Sequence, residues 1–142
     1  MAETLKERPV FRNIHVTDIV RYRLPPAGIV SILHRVSGAI LFLLMPFVIW
    51  MFDTSVSSEI SYDAFTSAFT AGLLGLPGWF IKLVALAVIW AYLHHFIAGV
   101  RHLVMDARHT VSKSQGASSA WVTLVLGTVL TLAIAAKLFG LY

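Results

Sequence analysis

Three long apolar segments alternate with polar segments along the chain. The apolar segments cover about residues 27–52, 80–105 and 120–141. Each is long enough for the roughly 20 residues that an α-helix needs to cross the hydrocarbon core of a membrane. The first follows Pro25-Pro26, and proline suits the first position of a helix because it lacks the amide that would be unpaired there. The pattern predicts an all-α integral membrane protein with three transmembrane helices.

The charges of the connecting segments predict how these helices cross the membrane. The first connection, residues 53–79, carries acidic side chains but neither lysine nor arginine. The N-terminal segment, residues 1–26, and the second connection, residues 107–119, both contain basic side chains. Basic connections remain in the cytoplasm. We therefore expect an in–out–in–out topology, with the N-terminus inside, for a single transmembrane domain over residues 1–142.

The first connection also contains an aromatic pattern. Tyr62, Phe65 and Phe69 recur at helical spacing, which predicts a short helix at the membrane interface. Gly75 and Pro77 follow and should end that helix before the second spanning segment begins.

Composition supports the membrane prediction and excludes several kinds of site. The chain is 58% hydrophobic and only 13% charged, whereas soluble domains carry roughly 25% charged residues. It has no cysteine, so a disulfide, a thiolate metal site and a cysteine-ligated iron–sulfur cluster within the chain are excluded. The net charge is +4, but no basic run suggests nucleic acid. The first 26 residues are too polar for a signal peptide.

One polar cluster lies near the start of the first spanning segment. Ser31, Arg35 and Gly38 share one face of a helix, and His34 stands beside that face. A hydroxyl and a guanidinium on one face can hold a polar head group such as a quinone carbonyl, and Gly38 permits close approach of a ring or helix. The alternative is structural: Arg35 extends to the interface and His34 bonds a neighbouring helix.

A second polar cluster lies in the second spanning segment. His95, Gly99, His102 and Asp106 fall at rotations of about 0°, 40°, −20° and 20°, so they form one stripe. His95 is roughly 16 Å from the end of the predicted helix, near the middle of the bilayer. A neutral imidazole there can ligate haem iron without bringing a charge into the lipid, and Gly99 leaves room for the macrocycle.

The neighbouring side chains extend this prediction. His94 diverges from His95 by about 100°, so the two cannot ligate one iron, and we expect His94 to bond a backbone carbonyl or another helix. Arg101 and His102 lie in the same leaflet as His34 and Arg35, and such a group of cations implies bound anions, for which haem propionates are suited. A second axial ligand would have to come from a partner subunit.

The two clusters together resemble a known family. Ser31-Ile32-Leu33-His34-Arg35-Val36-Ser37-Gly38 and His95-x-x-x-Gly99-x-Arg101-His102-x-x-x-Asp106 are similar to the paired motifs of the cytochrome b subunit of succinate dehydrogenase, the larger of its two small membrane anchors. The resemblance includes Arg8-Pro9 and Tyr22-Arg23-Leu24-Pro25, and it covers nearly the whole chain.

This resemblance implies a set of roles for the residues. His95 would be the axial ligand of haem b, opposite a histidine of the second small anchor. His34, Arg35 and His102 would face the propionates, and Ser31 with Arg35 would line the ubiquinone site. The flavoprotein and iron–sulfur subunits would be separate soluble chains, and the anchor, which is not an enzyme alone, would lie in the bacterial inner membrane.

Three other functions remain open at this point. A quinol:fumarate reductase would run the same chemistry in the opposite direction, and nothing local in the sequence excludes it. A purely structural anchor would have neither haem nor quinone. A proton or ion channel subunit would need acidic residues in the spanning segments, and Asp106 at the edge is the nearest.

Overall fold

A computed structural model of the chain describes residues 15–109 and 112–141. In the described residues, the elements in chain order are α1 (Val16–Arg21), α2 (Pro26–Val56), α3 (Glu59–Thr70), α4 (Gly78–Arg108) and α5 (Lys113–Leu138). Helices α2, α4 and α5 are each long and apolar enough to cross a membrane. The all-helical class with three such helices is confirmed. Arg8-Pro9 lies outside the described residues.

Helix α2 starts where the sequence predicts and continues past the predicted end. Pro25 is its extended N-cap, with φ −66° and ψ 156°, and Pro26 occupies the first helical position. Beyond residue 52 the helix runs to Val56, although this turn is polar. The hydroxyl of Thr54 donates to the carbonyl of Trp50 at 2.7 Å, and such bonds satisfy polar side chains within a helix.

The first connection contains the predicted short helix, which is α3. Ser58 caps it through a reciprocal pair of bonds with Ser61. The aromatic rings contact one another along the helix, with centroids 5.3 Å apart for Phe65 and Phe69. A tight turn then leads to Gly78, where a Cβ would lie 2.6 Å from the carbonyl oxygen of Phe69. Glycine is therefore needed for α3 and α4 to approach this closely.

Helix α5 begins seven residues earlier than the apolar pattern predicts. Ser112 accepts from the amide of Gln115, and the Gln115 side chain accepts from the amide of Ser112. This capping box satisfies amides at the helix start, so residues 113–119 form its first turns and not a loop. The connection between α4 and α5 is correspondingly short.

Helices α2, α4 and α5 all pack against one another, and side chains of small or moderate size make the close contacts. Val30 of α2, Ala98 of α4 and Ala120 of α5 form a buried cluster. Small residues let membrane helices approach one another, since lipid provides no hydrophobic drive between them. Large apolar side chains such as Phe42 and Leu43 remain 73% exposed. Lipid or a partner subunit must cover these outer faces.

Candidate functional site

Three imidazole rings lie in a row between α2 and α4. The ring centroid of His34 lies 4.2 Å from that of His95 and 5.4 Å from that of His102. His95 and His102 come from one face of α4, as their spacing predicts, and His34 of α2 stands between them. We call His95, His34 and His102 the imidazole row.

Hydrogen bonds orient the His95 ring. Its Nδ1 lies 3.1 Å from the carbonyl oxygen of His34 and 3.4 Å from Oγ of Ser37. The Ser37 hydroxyl donates to the same carbonyl at 2.9 Å. When Nδ1 donates its proton to that carbonyl, the lone pair resides on Nε2. Nε2 forms no hydrogen bond with the described residues, so it is available as a metal ligand.

Two glycines shape the space around this ring. A Cβ on Gly38 would lie 2.9 Å from Cε1 of His95, so Gly38 is what allows the imidazole to pack against α2. The sequence predicts close approach at Gly38, and the structure identifies the approaching group as His95. A Cβ on Gly99 would meet no atom within 4 Å. The surface one turn from His95 is therefore open to a flat ligand.

Ser31 and Arg35 lie on α2 beside the imidazole row. Ser31 is half-buried and Arg35 is exposed. Neither side chain forms a hydrogen bond or ion pair within the described part of the chain. Both polar groups can therefore bind an external ligand without first breaking an internal bond.

Arg101 is the predicted site residue that the structure separates from the others. Its Nε donates to Oγ of Ser119 at 3.0 Å, and Nη2 donates to the carbonyl of Gly116 at 3.1 Å. The sequence groups Arg101 with the cations of one leaflet, but its guanidinium is directed to α5 and not to the imidazole row. Arg101 thus fastens α4 to the start of α5.

His94 lies on the same face of α4 as Arg101. It is only 2% exposed, and its ring stacks on Trp90 with a centroid distance of 5.6 Å. Gly127 of α5 provides space for it, since a Cβ there would lie 3.8 Å from Nδ1 of His94. The ring packs against another helix, but its Nε2 makes no well-formed hydrogen bond with the described residues.

Ser37 is a site residue that sequence reasoning missed. It is fully buried and links the carbonyl of His34 to the ring of His95. A serine that bonds a carbonyl one turn earlier is common in helices. The sequence therefore contains a signal for the Ser37–His34 bond, but not for the contact with another helix.

The donor set fits haem better than a bare metal ion. Within the described residues, no group of three or more histidine, cysteine, aspartate or glutamate side chains could hold a metal ion. A porphyrin supplies its own equatorial ligands, so one oriented histidine is enough from this chain. The free Nε2 of His95 and the open face at Gly99 meet that requirement.

Comparison with known proteins gives consistent matches over most of the chain. The model of the family described as succinate dehydrogenase/fumarate reductase transmembrane subunit matches residues 4–134. A succinate dehydrogenase cytochrome b556 subunit from Coxiella burnetii is 35% identical over 79% of this chain and 85% of its own length. The subunit of the same name from Paracoccus denitrificans is 29% identical over 86% of this chain and 84% of its own length.

Proposed function

We propose that this chain, which belongs to the succinate dehydrogenase/fumarate reductase transmembrane subunit family, anchors a succinate dehydrogenase complex in the membrane. In this proposal it also binds haem b together with a partner subunit and forms part of the ubiquinone-reduction site. The single observation that carries the haem assignment is the orientation of His95, whose Nδ1 is held by a backbone carbonyl. Haem b, when bound, supplies a one-electron redox centre in the membrane.

His95 is the proposed axial ligand. Metal-bound histidines typically donate their other ring N–H to a carbonyl or carboxylate, which fixes the tautomer and the ring orientation. The carbonyl of His34 has this role here, and Ser37 bonds the same oxygen. A histidine of a second small anchor subunit would provide the other protein ligand.

His34, Arg35 and His102 are the residues that would hold the haem propionates in this proposal. His34 and His102 continue the imidazole row away from His95, and Arg35 follows His34 directly on α2. A guanidinium remains charged even in a poorly hydrated site and forms strong, directional bonds with carboxylates. The charge of Arg35 has no acidic partner in the described chain, so one propionate would offset it.

Ser31 and Arg35 are the proposed ubiquinone contacts. The Ser31 hydroxyl donates a hydrogen bond to a quinone oxygen, and Arg35 stabilises the negative charge that grows on the quinone during reduction. Electrons reach the quinone from an iron–sulfur subunit, which is itself supplied by a flavoprotein subunit. The chain contains no cysteine, so it holds no cysteine-ligated cluster of its own.

The proposed location is a bacterial inner membrane with the N-terminus in the cytoplasm. The basic second connection and the acidic first connection support this orientation. It brings Ser31, Arg35 and His102 into the cytoplasmic leaflet, on the side where the soluble subunits would dock.

The family name also covers fumarate reductases, and a purely structural anchor is a further alternative. The Ser31 and Arg35 side chains distinguish the quinone-binding proposal from the structural one. We expect Ser31→Ala and Arg35→Ala to slow succinate:ubiquinone reduction in the intact complex, on the order of a hundredfold for the loss of a charge-stabilising donor.

Two measurements complete this test. Succinate oxidation by an artificial acceptor that takes electrons from the soluble subunits should persist in both variants. Ser118→Ala, which alters an exposed serine that bonds only within α5, is the matched control. Equal loss in the two assays would mean that Ser31 and Arg35 assemble the complex and do not bind quinone.

A further inference from the structure

A second polar site lies at the end of the bundle that carries α3. A cavity of about 500 Å³ opens there between the end of α3, the start of α4 and Phe139. Trp79 and Lys82 of α4 line it together with Thr70. Tryptophan is typical of the membrane–water interface, so this cavity lies at the level of lipid head groups.

Lys82 is a half-buried cation without an anion. It lies one turn inside α4, and its Nζ is 5.7 Å from the centroid of the Phe139 ring. It forms no ion pair within the part of the chain that the structure describes. An ionised side chain in a spanning helix is costly and is usually paired. The aromatic ring offsets only part of this cost, so a negative group from outside the chain would stabilise the ammonium further.

An apolar groove lies deeper in the bundle on the same side of α4. Its volume is about 540 Å³, and side chains of all three long helices line it, among them Met45 of α2, Ile89 and Leu93 of α4 and Ile134 of α5. Ile89 and Leu93 are rotated from Lys82 by only about −20° and 20°, and Ile89 lies roughly 10 Å deeper. The hydrocarbon core of a membrane is roughly 30 Å thick, so a group at this depth still lies in the same leaflet as Lys82.

We propose that Lys82 and the apolar groove together bind one anionic phospholipid. The phosphate lies against Nζ of Lys82, and an acyl chain extends along α4 into the groove. A phospholipid has a negative group and an apolar chain at this separation, whereas free phosphate would leave the groove unfilled and a carboxylate side chain would be too short to fill it. Basic pockets between membrane helices bind lipid head groups in this way. The acyl chain would also fill the gap between α2, α4 and α5.

The test uses the intact purified complex. The complex is first depleted of lipid and then supplied with phosphatidylglycerol or phosphatidylcholine. Native mass spectrometry counts the lipid molecules that remain bound. The wild-type complex should retain one phosphatidylglycerol that Lys82→Gln loses and Lys82→Arg keeps. Lys137→Gln, which removes an exposed lysine at the end of α5, is the matched control and should keep it.

A second pair of variants tests the groove. Ile134→Trp should lose the lipid because the indole fills the groove, whereas Val125→Trp, on an exposed face of α5, should not. Retention of phosphatidylglycerol by Lys82→Gln, or equal retention of phosphatidylcholine by the wild type, would overturn the proposal. So would a carbodiimide cross-link from Lys82 to a carboxylate of a partner subunit, because that carboxylate would then be the anion.

Discussion

Replacing Gly38 by alanine tests how tightly the His95 ring is held. The new Cβ would lie 2.9 Å from Cε1 and 3.2 Å from Nδ1 of His95, and ordinary van der Waals contact begins at 3.4 Å. The ring must therefore move by about 0.5 Å or α2 must bend. The carbonyl that holds Nδ1 belongs to His34 on the same helix, so a moving ring weakens this bond as well.

The cost of such overpacking is about 1–3 kcal/mol. The apoprotein can avoid it by rotating His95 away, whereas iron ligation requires the ring to stay in place. The strain then falls mainly on the haem-bound state, which corresponds to roughly a 5- to 150-fold loss of haem affinity. We expect Gly38→Ala to bind less haem per complex and to transfer haem more readily to apomyoglobin.

A matched control separates this effect from the general effect of alanine in a helix. Alanine stabilises a helix interior by about 1 kcal/mol relative to glycine. At Gly116 of α5 an added Cβ would meet no atom within 4 Å, so Gly116→Ala should bind haem like the wild type. If Gly38→Ala also matched the wild type in haem content and transfer rate, the packing argument would be refuted.

Two further variants test neighbouring parts of the account. Gly99→Ala should leave the fold of this chain unchanged, because the added methyl group meets no atom of the described residues within 4 Å, but it should lower the haem content of the complex. Unchanged haem content would mean that the macrocycle does not lie on this face. Arg101→Ala should lower the free energy of unfolding of the complex by about 1–3 kcal/mol, because it removes two charged hydrogen bonds to α5. The haem spectrum should be retained. Loss of the haem spectrum without loss of stability would assign Arg101 to the propionates instead.

The apolar pattern predicts the three long helices because each must cross the same hydrocarbon thickness. Its bounds differ from those of the helices: α2 and α4 extend beyond both predicted ends, whereas α5 starts earlier and ends at Leu138, three residues before the predicted end. Hydropathy measures contact with lipid and not the continuation of backbone hydrogen bonds. The early start of α5 depends on the capping box of Ser112 and Gln115. That motif is visible in the sequence, but it lies within a polar stretch that hydropathy alone interprets as a loop.

Helical spacing predicts correctly that His95 and His102 share one face of α4, but it predicts neither the place of the His34 ring between them nor the partner of Arg101. His95 and His102 are seven residues apart, as are His94 and Arg101, so each pair shares a face of α4. The structure shows that the first face packs on α2 and the second on α5. Spacing alone cannot show which neighbouring helix covers which face of α4. Two side chains at the same depth in the membrane can therefore belong to different sites.

The reduced-minus-oxidised absorption spectrum of the complex tests the central claim most directly. His95→Leu should abolish the haem b signal, because it removes the imidazole whose Nδ1 is held by the carbonyl of His34 and whose Nε2 is left available as a ligand. His94→Leu should retain the signal, since His94 is buried against α5. Equal loss of the signal in both variants, or an unchanged spectrum in His95→Leu, would contradict the account.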